Sequence, residues 1–144
     1  MRLDALLAAQ PLAVLATESD GHPYSNLIAF AADGPGRIFF ATTRASRKWS
    51  YLTANPRVSV LVDDRTNREI DFHEAAAATG LGSAEACAGD LRDGGLALLE
   101  SRHPHLVDFL TSTSTDIFMI RMTDWYVVER FQAVSHVSVA EAAQ

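Results

Sequence analysis

The chain has 144 residues, 48% hydrophobic and 21% charged, enough for one well-packed domain and too few for two full ones. No apolar run approaches the roughly 18 residues of a membrane-crossing helix. The net charge of −6 argues against sequence-independent binding to nucleic acid or an anionic membrane surface.

Leu3, Leu6 and Leu7 share a face of a short first helix that Pro11 ends. Met1-Arg2-Leu3-Asp4 carries an early acid and leads into no signal-peptide core. Together with a lone cysteine, Cys87, this makes a cytoplasmic chain the expectation. Leu12 to Thr17 reads as a buried strand, and Ser19-Asp20-Gly21-His22-Pro23 as a turn. Tyr24 to Ala31 is a second strand, Asp33 to Gly36 a second turn, and Arg37 to Thr42 a third strand. Two successive hairpins are the economical arrangement.

Ser46 caps a predicted helix reaching about Ala54, with Trp49 and Leu52 on its inner face. Asn55-Pro56 ends it, because a residue before proline is driven out of the helical region. Arg57 to Val62 alternates and is rich in β-branched residues, the pattern of a strand, and Asp63 to Asp71 is a polar loop. Glu74 to Glu85 is ambiguous. Four consecutive alanines favour a helix, Thr79-Gly80-Leu81-Gly82-Ser83 opposes one, and a strand of small residues is the expectation. Helices are predicted over Leu91 to Arg102 and Pro104 to Leu110, closing strands over Ile117 to Met122 and Trp125 to Phe131, and an edge strand over Val134 to Val139. With six or seven strands, short helices and no repeat or linker, the chain reads as a single mostly β domain over residues 1–144, a small β-barrel with flanking helices.

The charge is unevenly spread. Between Gly34 and Val62 there is no acid but five cations, Arg37, Arg44, Arg47, Lys48 and Arg57, so a +5 segment sits in a −11 remainder. Lys48 is the only lysine in the chain. Within this segment a strand delivers Thr42 and Thr43, a turn delivers Arg44, and a helix starts at Ser46-Arg47-Lys48. Free N–H groups at a helix start favour an anion. Arg47 adds a planar fork suited to phosphate and Lys48 a compact charge. A solvated basic turn capped by Ser46 is the alternative reading of the same residues.

Thr42 and Ser46-Arg47-Lys48-x-x-x-Leu52, followed by Asn55-Pro56-Arg57-Val58-Ser59, resemble the pyridoxamine 5′-phosphate oxidase-like family of FMN-binding split β-barrels. Upstream, Leu15-Ala16-Thr17, Asp20-Gly21, Pro23 and Ser25 resemble that family's opening hairpin. His103-Pro104 with Phe109, and the Tyr126 to Phe131 strand, are similar to its haem-utilisation branch. The resemblance implies a six- or seven-stranded split barrel binding FMN. Its phosphate contacts fall on Thr42, Ser46, Arg47 and Lys48, with Thr43 also among the cofactor-binding residues, and its ring-facing strand on Asn26, Leu27, Ile28 and Ala29. It also implies a homodimer with FMN at the subunit interface, Trp125 or Arg130 of the partner copy completing each site, and a small-molecule substrate or electron donor. The implied activity is that of an FMN-dependent oxidoreductase; a non-catalytic flavin- or haem-binding protein for storage, sensing or haem utilisation is the alternative. Two departures weigh against pyridoxamine-phosphate oxidation itself. The chain ends without the Arg-x-His substrate motif, and Ala31 stands where the family carries a basic residue.

Other patterns carry less. His73-Glu74 meets Ala77 where a zinc-protease helix needs a second histidine, and His103-Pro104-His105 lacks further ligands, so no metal is expected. His136 is a haem-ligand candidate only if the branch resemblance extends to chemistry. Gly80-x-Gly82 lacks a third glycine for a dinucleotide loop, and Cys87 has no neighbouring cation in sequence to activate it.

Overall fold

A computed structural model of the chain describes residues 2–131 and 133–142. Its strands are β1 (Leu12–Ser19), β2 (His22–Asp33), β3 (Arg37–Thr43), β4 (Arg57–Asp63), β5 (Ala76–Ala86), β6 (Thr115–Glu129) and β7 (Ala133–Ser138). They form one antiparallel sheet in the order β3-β2-β1-β4-β5-β6-β7, and β3 also pairs with β6. That pairing closes β1 to β6 into a six-stranded barrel, with β7 added outside on β6. Closure removes the exposed edges an open sheet would offer. Helices α1 (Arg2–Ala9), α2 (Arg47–Ala54), α3 (Asp71–Glu74), α4 (Gly89–Arg102), α5 (Val107–Leu110) and α6 (Val139–Ala142) flank it. A 3₁₀ turn, Pro104–Leu106, joins α4 to α5.

The first hairpin turns on Asp20-Gly21, both with positive φ, between the paired residues Ser19 and His22. This is the two-residue turn whose twist matches the strands, and Asp-Gly is among its preferred dipeptides. Alternation then sends Ala13 and Leu15 of β1, and Val58, Val60 and Val62 of β4, into the barrel. β3 does not alternate, because both its faces are covered. Ile38 and Phe40 fill the barrel, while Phe39 and Ala41 pack outward under Leu99 of α4 and Leu110 of α5. The continuous apolar run Ile38-Phe39-Phe40-Ala41 reflects two cores meeting at one strand.

The ambiguous small-residue segment is the strand β5, and its composition has a packing cause. Trp125 is fully buried in the barrel. A Cβ on Gly80 would come within 2.8 Å of its ring and 2.3 Å of Met122 Cε. Helix propensity yields here to the space one indole needs. The two expected closing strands are a single strand, β6, that runs from Thr115 to Glu129 through a bulge opposite Leu81 and Gly82. The bulge absorbs the polar Thr123 without ending the ladder. Phe131, expected in that strand, lies in the turn beyond it with positive φ. The predicted tail strand begins at Ala133 and ends at Ser138 as β7. Among the described residues no helix is long and apolar enough to cross a membrane.

Candidate functional site

The predicted anion cradle lies where β3 passes into α2. Ser46 takes the extended backbone of an N-cap, and its Oγ accepts a hydrogen bond from Trp49 N at 3.2 Å. Thr42, buried at the end of β3, places its Oγ1 2.6 Å from Ser46 Oγ. If Thr42 donates, Ser46 keeps its own hydroxyl proton for a ligand. No acid occupies the first turn of α2, so nothing on this helix neutralises its positive end.

The five cations separate into two kinds. Arg37 pairs with Asp33. Arg44 donates to Asp116 Oδ1 at 2.7 Å and to the Thr113 carbonyl at 2.5 Å, so it locks the turn to the start of β6. Arg47, Lys48 and Arg57 have no carboxylate partner among the described residues. The Arg47 guanidinium lies over the Tyr24 ring, 5.7 Å from its centroid. Burial lowers the pKa of the half-buried Lys48, since desolvation disfavours its ammonium. An unpaired, partly desolvated cation is costly without a counter-ion, and a bound anion would supply one.

Lys48 lines a cleft of about 180 Å³ together with Leu27, Ile28 and Ala29 of β2. Ala41, Leu99, His103, Leu106 and the α5 residues Phe109 and Leu110 form the rest of its wall. Fold closure thus brings the predicted ring-facing strand and the lone lysine to one opening, although about twenty residues separate them in sequence. Ile28 is buried and Leu27 is 62% exposed at the lip. Asn26 is half-buried, with Nδ2 donating to the Leu27 carbonyl and Oδ1 buried without a hydrogen-bond partner. Asn26, Thr42, Thr43, Ser46 and Arg47 do not line the cleft itself. Thr43 contributes its carbonyl, which accepts from Ser46 N at 3.1 Å.

Two residues important to this geometry are not apparent as such in the sequence. Asp116 fastens both the turn, through Arg44, and α2, through Trp49 Nε1 at 2.8 Å. His103 is buried and lines the cleft, its Nε2 2.8 Å from the Phe30 carbonyl. A carbonyl only accepts, so Nε2 carries the proton. The His103-Pro104 pair was its only signal. Trp125 departs from its expected place in a partner's site, because its indole is sealed in the barrel and donates to the Pro35 carbonyl at 2.8 Å. Arg130 is exposed beside Ala75, to whose carbonyl its N–H donates at 3.4 Å. Cys87 is partly buried, and desolvation followed by the charge of Glu85 pushes its thiol up to about 11. No three His, Cys, Asp or Glu side chains come together as a metal site among the described residues.

The sequence pattern of the pyridoxamine 5′-phosphate oxidase family matches residues 2–128. The chain belongs to that family. No protein of curated function matches it. Among solved structures it is similar to a heme-binding protein from Mycobacterium smegmatis, with a TM-score of 0.86 at 17% identity over 96% of this chain and 57% of that one. The family member described here therefore spans little more than half the length of that protein. It is also similar to HutZ, the heme storage protein of Vibrio cholerae, with a TM-score of 0.72 at 21% identity over 84% and 87% of the two chains. A third likeness is to a FAD-binding protein from Mesorhizobium loti, with a TM-score of 0.68 at 20% identity over 88% and 91%. At these identities the structures share the split-barrel fold.

Proposed function

We propose that this chain is a flavoprotein that binds FMN and acts as an FMN-dependent oxidoreductase on a small molecule. The observation that carries this reading is the shared cleft, which the only lysine of the chain lines together with the β2 segment Leu27 to Ala29. The donor set fits a phosphate monoester: an unpaired Lys48, an unpaired Arg47 fork, the Ser46 hydroxyl and an acid-free helix start. FMN, when bound, supplies the electron-transfer chemistry. The chain's residues anchor the phosphate, orient the ring against β2 and exclude water with Ile28, Leu99 and Leu110.

The cleft in one chain is below the roughly 300–1,000 Å³ of sites that enclose a small molecule. A second copy laid over the exposed Leu27 would complete the enclosure, which supports a homodimer with the cofactor between subunits. The likenesses to heme-binding and heme-storage proteins support a second reading, a non-catalytic holder of flavin or haem.

The absorption spectrum of the purified protein tests both. Bands near ~450 nm, bleached by a nicotinamide donor, are expected of the oxidoreductase. A protein unable to take up added FMN would refute it, and a Soret band in its place would favour the haem holder. Leu27→Asp is expected to lower both the dimer fraction in sedimentation and the flavin content; a monomeric variant that retains its flavin would refute the shared site.

A further inference from the structure

His103 is 2% exposed and lines the Lys48 cleft, yet none of the phosphate contacts uses it. Its place is fixed from several directions. Its backbone N–H donates to the Leu99 carbonyl at 2.8 Å, where α4 ends, and its carbonyl accepts from Leu106 N at 2.9 Å. Arg102, one residue earlier, donates to the Leu7 and Gln10 carbonyls at 3.2 and 2.8 Å and lies over the Phe30 ring. His103 Nε2 donates in turn to the Phe30 carbonyl on β2. Two adjacent side chains thus clamp the end of α4 onto the strand that carries Leu27, Ile28 and Ala29.

That clamp uses only one of the two ring nitrogens. With the proton on Nε2, Nδ1 carries a lone pair and can only accept. Among the described residues no group donates to it. His105 stands edge-on to the ring, with centroids 6.1 Å apart, and makes no hydrogen bond to it. The described polar atoms that are sealed from solvent without a partner are Asn26 Oδ1 and Thr115 Oγ1, and Nδ1 is not among them. The nitrogen therefore keeps an open face, and the cleft is the opening that His103 lines. A largely buried acceptor is unfavourable until a donor reaches it.

The remainder of the cleft defines what such a donor belongs to. Lys48 and His103 are its polar side chains, and every other lining residue is Leu, Ile, Ala or Phe. The complement of that wall is a largely apolar body that bears an anion and, apart from it, an N–H or O–H donor.

We propose that His103 is a ligand-binding residue of this cleft, its Nδ1 accepting a hydrogen bond from an N–H or O–H group of the bound flavin. This role rests on the FMN reading of the same cleft. It adds a selection that Lys48 alone does not make. An ammonium receives any anion, whereas a fixed acceptor rejects a molecule that brings no donor, because the nitrogen then stays unpaired. The polar groups of a haem edge are ionised carboxylates, which only accept, so His103 favours flavin over haem.

The test is a titration with FMN of protein isotopically labelled at its histidine nitrogens, with NMR following the imidazole and flavin fluorescence giving the affinity. In the ligand-free protein the proton is expected on Nε2, with Nδ1 bare. FMN should move the Nδ1 resonance upfield, the direction of a nitrogen that accepts a hydrogen bond, while Nε2 stays in place. His103→Gln, which keeps an N–H for the Phe30 carbonyl and offers no ring nitrogen, should weaken FMN binding about three- to tenfold. Circular dichroism confirms that the variant is folded, and the wild-type NMR decides the matter where it is not. A proton on Nδ1 in the ligand-free protein overturns the proposal. So does a folded His103→Gln that binds FMN as the wild type does. Haem uptake with a Soret band that shifts in His103→Gln would also overturn it, by making Nδ1 an iron ligand. A wild-type protein that takes up no FMN refutes the flavin reading and this role with it; one that binds FMN with Nδ1 unmoved refutes the role of His103 alone.

Discussion

Trp49 Nε1 donates to Asp116 Oδ2 at 2.8 Å, joining α2 to the start of β6 across 67 residues of sequence. The other Asp116 oxygen receives Arg44 at 2.7 Å. One carboxylate therefore holds both flanks of the Ser46-Arg47-Lys48 corner. Asp116→Ala is expected to cost about 1.5–3 kcal/mol, the range for hydrogen bonds to a charged group, as read by urea denaturation. Arg44→Ala, which removes a partly exposed ion pair and the hydrogen bond to the Thr113 carbonyl but leaves the indole bond, should cost about 0.5–1.5 kcal/mol. Equal losses in the two variants would show that the indole bond contributes little.

Lys48 carries a conflict between stability and binding. Its folded pKa lies below the ordinary lysine value of 10.5 because burial penalises the ammonium. The unfolded chain then binds more protons between the folded pKa and 10.5, so stability contributed at this position rises with pH through that window. Below it the buried charge is a standing cost. Lys48→Met is expected to raise the melting temperature of the ligand-free protein at pH 7, with the gain fading as pH approaches 10.5. The same variant should weaken FMN binding about 10- to 100-fold, the worth of one charge-assisted contact. A variant that is less stable at pH 7 would contradict the desolvation argument.

Three glycines separate steric from conformational cost. A Cβ on Gly82 would lie 2.6 Å from the Arg121 carbonyl oxygen, and one on Gly80 would strike Met122 and Trp125. Gly80→Ala and Gly82→Ala should each destabilise by about 1–3 kcal/mol or somewhat more. Gly94, within α4, has nothing within 4 Å of its Cβ position, and Gly94→Ala should stabilise by about 0.4–1 kcal/mol. Chemical denaturation of the three variants checks the order.

Trp125→Phe removes the bond to the Pro35 carbonyl and leaves part of the barrel interior unfilled. A loss of about 1–3 kcal/mol is expected, with the FMN dissociation constant unchanged. A stable variant with weakened flavin binding would place the indole in the site after all.

The Cys87 thiol, pushed up to about 11 from an ordinary 9.0, should hold about 100-fold less thiolate at pH 8 than an unperturbed cysteine. Its alkylation by iodoacetamide should be correspondingly slow and accelerate up to about pH 11. Rapid modification at pH 8 would contradict this environment.

Local chemistry made much of this protein legible from its sequence alone. Asp20-Gly21 writes its own turn, Ser46 its own cap, and Val58, Val60 and Val62 their own alternation, because each signal acts over a few residues. The acid-free segment likewise marked Arg47 and Lys48 as cations without sequence neighbours to neutralise them. Tertiary structure decided what depends on distant partners. Arg44 became a structural clamp because Asp116 lies opposite it, and Trp125 became core because Gly80 leaves it room. His103 joined the Lys48 cleft, and Phe72 met Phe131, only through barrel closure. The +5 segment set against a −11 remainder was visible from composition. Which of its charges stay free for a ligand is a pairing question, and pairing across dozens of residues is set by the fold.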